Sequence, residues 1–165
     1  MDLFFQYVEQ TALSVWLRES ESFLAFPAAL ILHTVGMAFL FGTSVAISLR
    51  ILGFGRTIPL ASIARFTPVL WSGFWINVLS GLGLLIAFPT KALTNWVFYV
   101  KLAFILLAVL SIWATNNQIL SDPAVDKKPM SLNGKILAVF SLVCWVGAVI
   151  TGRLLAYTYV RILSG

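Results

Sequence analysis

Residues 23–49, FLAFPAALILHTVGMAFLFGTSVAISL, decide the fold. Apart from His33 the run has no ionisable side chain, and it is longer than the roughly 20 helical residues that cross a hydrocarbon core of about 30 Å. Three further runs of the same character follow, at about 66–88, 95–115 and 135–157, the last able to continue to Leu163. Their apolar residues do not alternate as membrane strands do, so a β-barrel is not expected. Pro27 and Pro68 sit in first turns, where a missing N–H costs little. Phe88-Pro89-Thr90 closes the second run, and Pro123 and Pro129 mark the loop before the fourth.

The whole chain agrees with its first span. Of 165 residues, 60% are hydrophobic and 10% charged, whereas a soluble domain carries about 25% charged residues. Such a chain cannot cover a water-facing surface, so lipid is its solvent. The expectation is one all-α domain over residues 1–165, an integral membrane antiparallel four-helix bundle with short connections. Residues 2–19 read as a short amphipathic helix at the interface, with Leu3, Phe4, Tyr7, Val8 and Val15 near one face. This acidic segment has neither a basic start nor a small-residue cleavage site, so no cleavable signal peptide is read there. Cys144 is a single cysteine in an apolar run and reads as a small buried hydrophobe.

Net charge is +5. In a membrane protein that excess is first a topology signal and gives no reason to expect a nucleic-acid partner. Six cations, Arg50, Arg56, Arg65, Lys127, Lys128 and Lys135, flank the loops between spans one and two and spans three and four, against Arg18, Lys91 and Arg161 on the other side. The positive-inside rule then puts both basic loops in the cytoplasm and both termini outside. Trp16, Trp96, Tyr99, Tyr157 and Tyr159 would form an outer aromatic belt.

Polar groups at membrane depth are costly and mark candidate sites. His33, the only histidine, is ten residues past Phe23, about 15 Å along the helix and near the midplane. Phe26, Ala29, Leu30, Met37, Leu40 and Ser44 share its face. The second span offers Gly73, Asn77 and Gly81 on one stripe, with Ser80 beside it. The third carries Lys101. The fourth presents Trp145, Val149, Arg153 and Tyr157. In an antiparallel bundle the two cations come to lie roughly 6–10 Å above His33.

A haem b accounts for this pattern economically: His33 would be the iron (metal) ligand, Lys101 and Arg153 would hold the propionates, and Asn77, Met37, Trp145 and Tyr157 would line the pocket. A bis-histidine site needs two histidines, so the haem would be five-coordinate, use Met37 or Met130, or be shared between protomers. Met37 stands one turn from His33 on the same helix face, so it cannot take the opposite side of the same iron. A quinone hydrogen-bonded by His33, Asn77 or Tyr157 is a second reading. A proton or small-molecule path through His33 is a third. The leading expectation is thus a small haem b electron-transfer subunit, and the runner-up is a non-catalytic accessory subunit, packed in a larger membrane complex or a homo-oligomer; there His33 only bonds a neighbouring helix and Lys101 and Arg153 snorkel to the interface. No His pair at i, i+4, no Cys-x-x-Cys and no phosphate-binding glycine loop occurs in the chain, and no enzymatic activity of its own is expected.

Short motifs carry a resemblance. Leu32-His33-Thr34-Val35-Gly36 with Ser48-Leu49-Arg50-Ile51-Leu52-Gly53, Ala64-Arg65 with Pro68 and Trp71-Ser72-Gly73-Phe74, Lys101-Leu102, and Ser141-Leu142 through Trp145 to Gly152-Arg153-Leu154-Leu155-Ala156-Tyr157 resemble the four helices of a family of small bacterial membrane proteins of unknown function. That family looks distantly like copper-resistance D-type and cytochrome-b-type membrane proteins. The resemblance implies a four-helix fold in a bacterial inner membrane and draws attention to His33, Arg50, Lys101 and Arg153. A cytoplasmic reporter enzyme fused after Gly165 is expected to be inactive, and activity would invert the assigned topology.

Overall fold

The computed structural model describes residues 2–122, 125–127 and 129–163, with the side chains of 2, 3, 156 and 159–163 outside the description. Pro123, Lys128 and the side chains of Leu3, Tyr159 and Arg161 therefore lie outside the described residues. Helices α1 (Asp2–Glu9) and α2 (Ala12–Glu19) precede α3 (Phe26–Leu52), α4 (Leu60–Ala64), α5 (Thr67–Ala87), α6 (Pro89–Leu93), α7 (Trp96–Thr115) and α8 (Leu132–Leu163). A π-helical turn, Asn116–Leu120, extends α7, and a 3₁₀ turn, Val125–Lys127, precedes α8. Four helical segments are long and apolar enough to span a membrane, and α3, α5, α7 and α8 build an all-α four-helix bundle. Its outside is apolar, with Trp75, Leu79, Leu106, Leu110, Val143 and Ile150 all exposed. That is the surface of a protein solvated by lipid.

Local chemistry sets the ends of these helices. Pro27 stands in the first turn of α3, which begins three residues later than its apolar run. At the other end Gly53, at φ 103°, takes the left-handed C-cap position and returns its N–H to the carbonyls of Leu49 and Arg50. Asn95 caps α7 by accepting from Val97 N–H at 3.0 Å, and its amide donates to Thr158 of α8 at 2.7 Å. The N-terminal amphipathic segment is not one helix. Thr11 takes an extended conformation and its hydroxyl accepts from Ser14 N–H, so the chain breaks at Gln10-Thr11 and restarts as α2. Once broken, α2 docks on the end of α5. Buried Ser14 donates to the Ile86 carbonyl at 2.8 Å and Arg18 reaches the Ala87 carbonyl at 3.5 Å. These are terminal carbonyls that α5 cannot bond internally.

The closest helix approach is between α3 and α5. A Cβ added at Gly73 would lie 2.8 Å from Leu40 N and 2.9 Å from Gly36 O, and one added at Gly36 would lie 2.9 Å from Asn77 N. Backbone touches backbone, the arrangement that small residues permit between membrane helices. Helix α8 packs against α7, where Gly147 lies under the Phe104 ring, and against α3. Helices α5 and α7, neighbours in an ideal up-down bundle, are not among the closely packed pairs. The core of Ile47, Ile51, Leu60, Leu70, Ala108, Ile112, Ala138 and Trp145 fills the bundle toward the basic loops. At the other end a gap remains between α5 and α7.

At the basic end Asp126 joins the two loops. Its carboxylate accepts from Leu60 N–H at 2.7 Å and Ala61 N–H at 3.1 Å, and pairs with Arg50 at 3.4 Å. Those two backbone hydrogen bonds, with the Arg50 guanidinium adding to them, hold the carboxyl below the usual carboxylate range.

Two consequences are measurable. Gly73→Val drives a side chain into the α3 backbone, and overpacking of this kind costs roughly 1–3 kcal/mol; a clear fall in Tm in detergent is expected, and an unchanged Tm would contradict the contact. For Asp126, a depressed folded pKa means that the stabilisation is present above the ordinary carboxylate pKa and lost as pH falls through the folded one. Wild type is therefore expected to exceed Asp126→Asn in Tm at neutral pH, with the gap closing below about pH 4. A gap independent of pH would show that the carboxylate charge is not what holds the loops.

Candidate functional site

A large apolar recess opens in the gap between α5 and α7. Its inner part is a cavity of about 410 Å³ lined by residues of α3, α5, α7 and α8, among them His33, Met37, Asn77, Gly81, Lys101 and Trp145. Its outer part, about 250 Å³, is lined by Phe26, Leu30, Phe88, Lys91, Phe98 and Gly152, and again by His33, Gly81 and Lys101. His33 and Lys101 thus stand where the two parts meet. The recess is mouthed by exposed Leu82 and Tyr99.

His33 is held from three directions by α5. Its Nδ1 lies 3.2 Å from Ser80 Oγ. The Ser80 hydroxyl has a single proton and donates it to the Ile76 carbonyl at 2.6 Å, so Nδ1 must be the donor in the His33–Ser80 bond. The neutral tautomer is then Nδ1–H. The Asn77 amide donates to the His33 carbonyl at 2.8 Å. Gly81 lies beneath the ring, and a Cβ there would come 3.2 Å from Cε1. What is left over is Nε2, a lone-pair acceptor with no protein partner among the described residues, on a ring that lines the recess.

Lys101 approaches from the other wall. Its stem lies against Gly152, whose missing side chain leaves room for Cδ and Cε at 3.8–3.9 Å from a would-be Cβ. No hydrogen bond or ion pair to its ammonium occurs among the described residues. Seven residues into α3 and five into α7, His33 and Lys101 are about 10 and 8 Å from the helix starts. Both groups line the inner and the outer part of the recess. Lys91 lies near the outer part of the recess, its Nζ 5.9 Å from the Phe88 ring.

Of the residues singled out in the sequence, His33, Met37, Asn77, Lys101 and Trp145 line one recess. Arg153 and Tyr157 do not: Arg153 is exposed and Tyr157 is 68% exposed. The stripe Trp145–Val149–Arg153–Tyr157 steps by four, and each step of four overshoots a helical turn by about 40°. After two steps the side chain has left the face of Trp145. The buried face of α8 instead runs Ser141, Cys144, Trp145, Ala148, Thr151, and Gly152 and Leu155 continue it into the recess. Met130 belongs to the basic end, far from His33. Gly152 and Phe98 were missed as site residues, although alternating steps of three and four from Ala148 point to the first.

No protein-family model, curated protein or solved structure matches this chain. The resemblance carried by the short motifs has no support from these comparisons, and the site stands on its own geometry.

A haem can be tested against these residues. An imidazole with Nδ1–H anchored and Nε2 open has the second-sphere arrangement of a metal-bound histidine, and Lys101 is placed for a propionate. Across the recess stand Leu93 at the end of α6 and, besides Lys101, Phe98, Tyr99, Leu102 and Ile105 of α7. None is a customary second axial donor to a low-spin haem b. The residues fit a five-coordinate haem and do not fit a six-coordinate one within a single chain.

Proposed function

We propose that this protein binds a lipophilic, polar-headed molecule of the quinone class, taken from the bilayer through the gap between α5 and α7. One observation carries this reading: His33, oriented by Ser80 with Nε2 open, and Lys101, unpaired among the described residues, line the same largely apolar recess. A quinone ring has two carbonyl acceptors, and the Lys101 ammonium can donate to one of them. In the quinol form a hydroxyl donates to Nε2. The apolar lining from α5 and α7 suits an isoprenoid tail, and an opening toward lipid removes the need to pass through water. A cation and a neutral imidazole in a low-dielectric recess are high-stakes groups, stabilised when a ligand satisfies them.

Haem b bound through His33, as part of an electron-transfer subunit, is the second reading, favoured by the same open Nε2. An accessory subunit without a ligand is the third. The protein purified in mild detergent distinguishes them. Organic extraction is expected to release near-stoichiometric quinone, and the absorption spectrum to lack a Soret band. A Soret band that His33→Ala abolishes would replace the quinone by haem; a colourless, quinone-free preparation would leave the accessory role. A charge-assisted hydrogen bond contributes about 1.5–3 kcal/mol and a neutral one about 0.5–1.5 kcal/mol, so Lys101→Met is expected to lower retention about tenfold or more, and His33→Ala to lower retention of the quinol form about fivefold. Ser80→Ala, which frees the ring without removing it, should cost less than either.

A further inference from the structure

We propose that the opposite, basic end of the bundle contains a second site, for the headgroup of an anionic phospholipid. A cavity of about 370 Å³ opens there, where α3 ends and α8 begins. Arg50 comes from the last turn of α3, Arg56 from the loop after it and Lys135 from the first turn of α8, and Asp126 is the one carboxylate in the lining. Three cations against one anion leave an excess that calls for a negative occupant. The roles of the charges differ. Arg50 is committed to the protein: it donates to the Ile58 carbonyl at 2.6 Å and pairs with Asp126 at 3.4 Å. Arg56 and Lys135 are exposed and have no ion-pair or hydrogen-bond partner among the described residues.

Arg56 also lines the cavity close to the chain's own turn. Its guanidinium folds back over Gly53, with Nε and a terminal nitrogen 3.1 Å from where a Cβ would stand. The left-handed φ of 103° makes glycine the residue for that position. The result is a planar donor fork at the cavity rim, the kind of group that recognises phosphate. The remaining lining, Ile51, Leu52, Leu60, Val125, Pro129 and Met130, is apolar. Val139 and Val143, one and two turns beyond Lys135 on α8, are exposed to lipid. A cationic pocket that runs onto an apolar helix face matches a phosphate headgroup joined to acyl chains. Basic pockets between membrane helices take anionic lipid heads in this way. A free phosphate shares the headgroup chemistry but would not use the apolar continuation.

Native mass spectrometry of the full chain, released from detergent with defined phosphatidylglycerol or phosphatidylcholine of identical chains, tests the site. One phosphatidylglycerol is expected to remain bound at concentrations where phosphatidylcholine does not, and millimolar inorganic phosphate should not displace it. Arg56→Gln and Lys135→Gln should each weaken retention about fivefold. Arg65→Gln, with the same charge change at an exposed position outside the cavity, should leave it unchanged. Equal retention of the two lipids by the wild-type protein overturns the proposal, and that comparison does not depend on any variant folding. Displacement by inorganic phosphate would reassign the cavity to a soluble anion. An Arg65→Gln effect equal to that of Arg56→Gln would reduce it to diffuse surface charge.

Discussion

The rest of the molecule depends on the backbone contact between α3 and α5 at Gly36 and Gly73. In lipid there is no hydrophobic force to press helices together, so close van der Waals approach and interhelical hydrogen bonds must do it. The two glycines allow the approach, and one turn further on Asn77 adds its hydrogen bond to the His33 carbonyl. Another turn brings Ser80 and Gly81 against the imidazole itself. The contact that holds α5 to α3 therefore also orients the histidine and selects its tautomer.

That same contact leaves α7 without a partner on one side. Helix α5 is drawn onto α3, α7 is drawn onto α8, and α3 meets α8 in the middle. The chain of pairs does not close. Toward the basic loops Leu70 and Ile112 are buried in the shared core, while toward the termini the seam opens into the recess where His33 and Lys101 stand. The N-terminal helices sit on this open end, with Ser14 and Arg18 satisfying the last carbonyls of α5. Glu9 accepts from Thr90 N–H at the start of α6. The end of α5 is thereby fixed although α7 does not support it.

Polarity is divided between the two ends. At the open end Lys101 lines the largely apolar recess, while Glu9, Arg18 and Glu19 stay at the helix termini, bonded to one another or to the ends of α5 and α6. At the basic end charge is plentiful and is sorted into structural and unpaired groups. Asp126 with Arg50 ties the loops, while Arg56 and Lys135 stay at the rim of a second cavity. A bilayer imposes this division, because a charge in the hydrocarbon needs a partner whereas one at the headgroup level does not.

The sequence by itself determined the spans and the bundle, because hydrophobic length is read directly by the bilayer and survives any rotation of a helix. It also singled out His33, Asn77 and Lys101, since polar groups at membrane depth stand out in any register. It did not determine which way each helix turns. Arg153 and Tyr157 looked inward on a stripe of four-residue steps, and the 40° drift of each step carried them out to lipid. Nor could it show that α5 and α7 part, because that follows from two glycines on different spans meeting each other. The division of labour on His33, with one nitrogen given to Ser80 and the other left open, was decided by tertiary structure alone. A hydrogen bond between residues 47 positions apart exists only once the helices have packed.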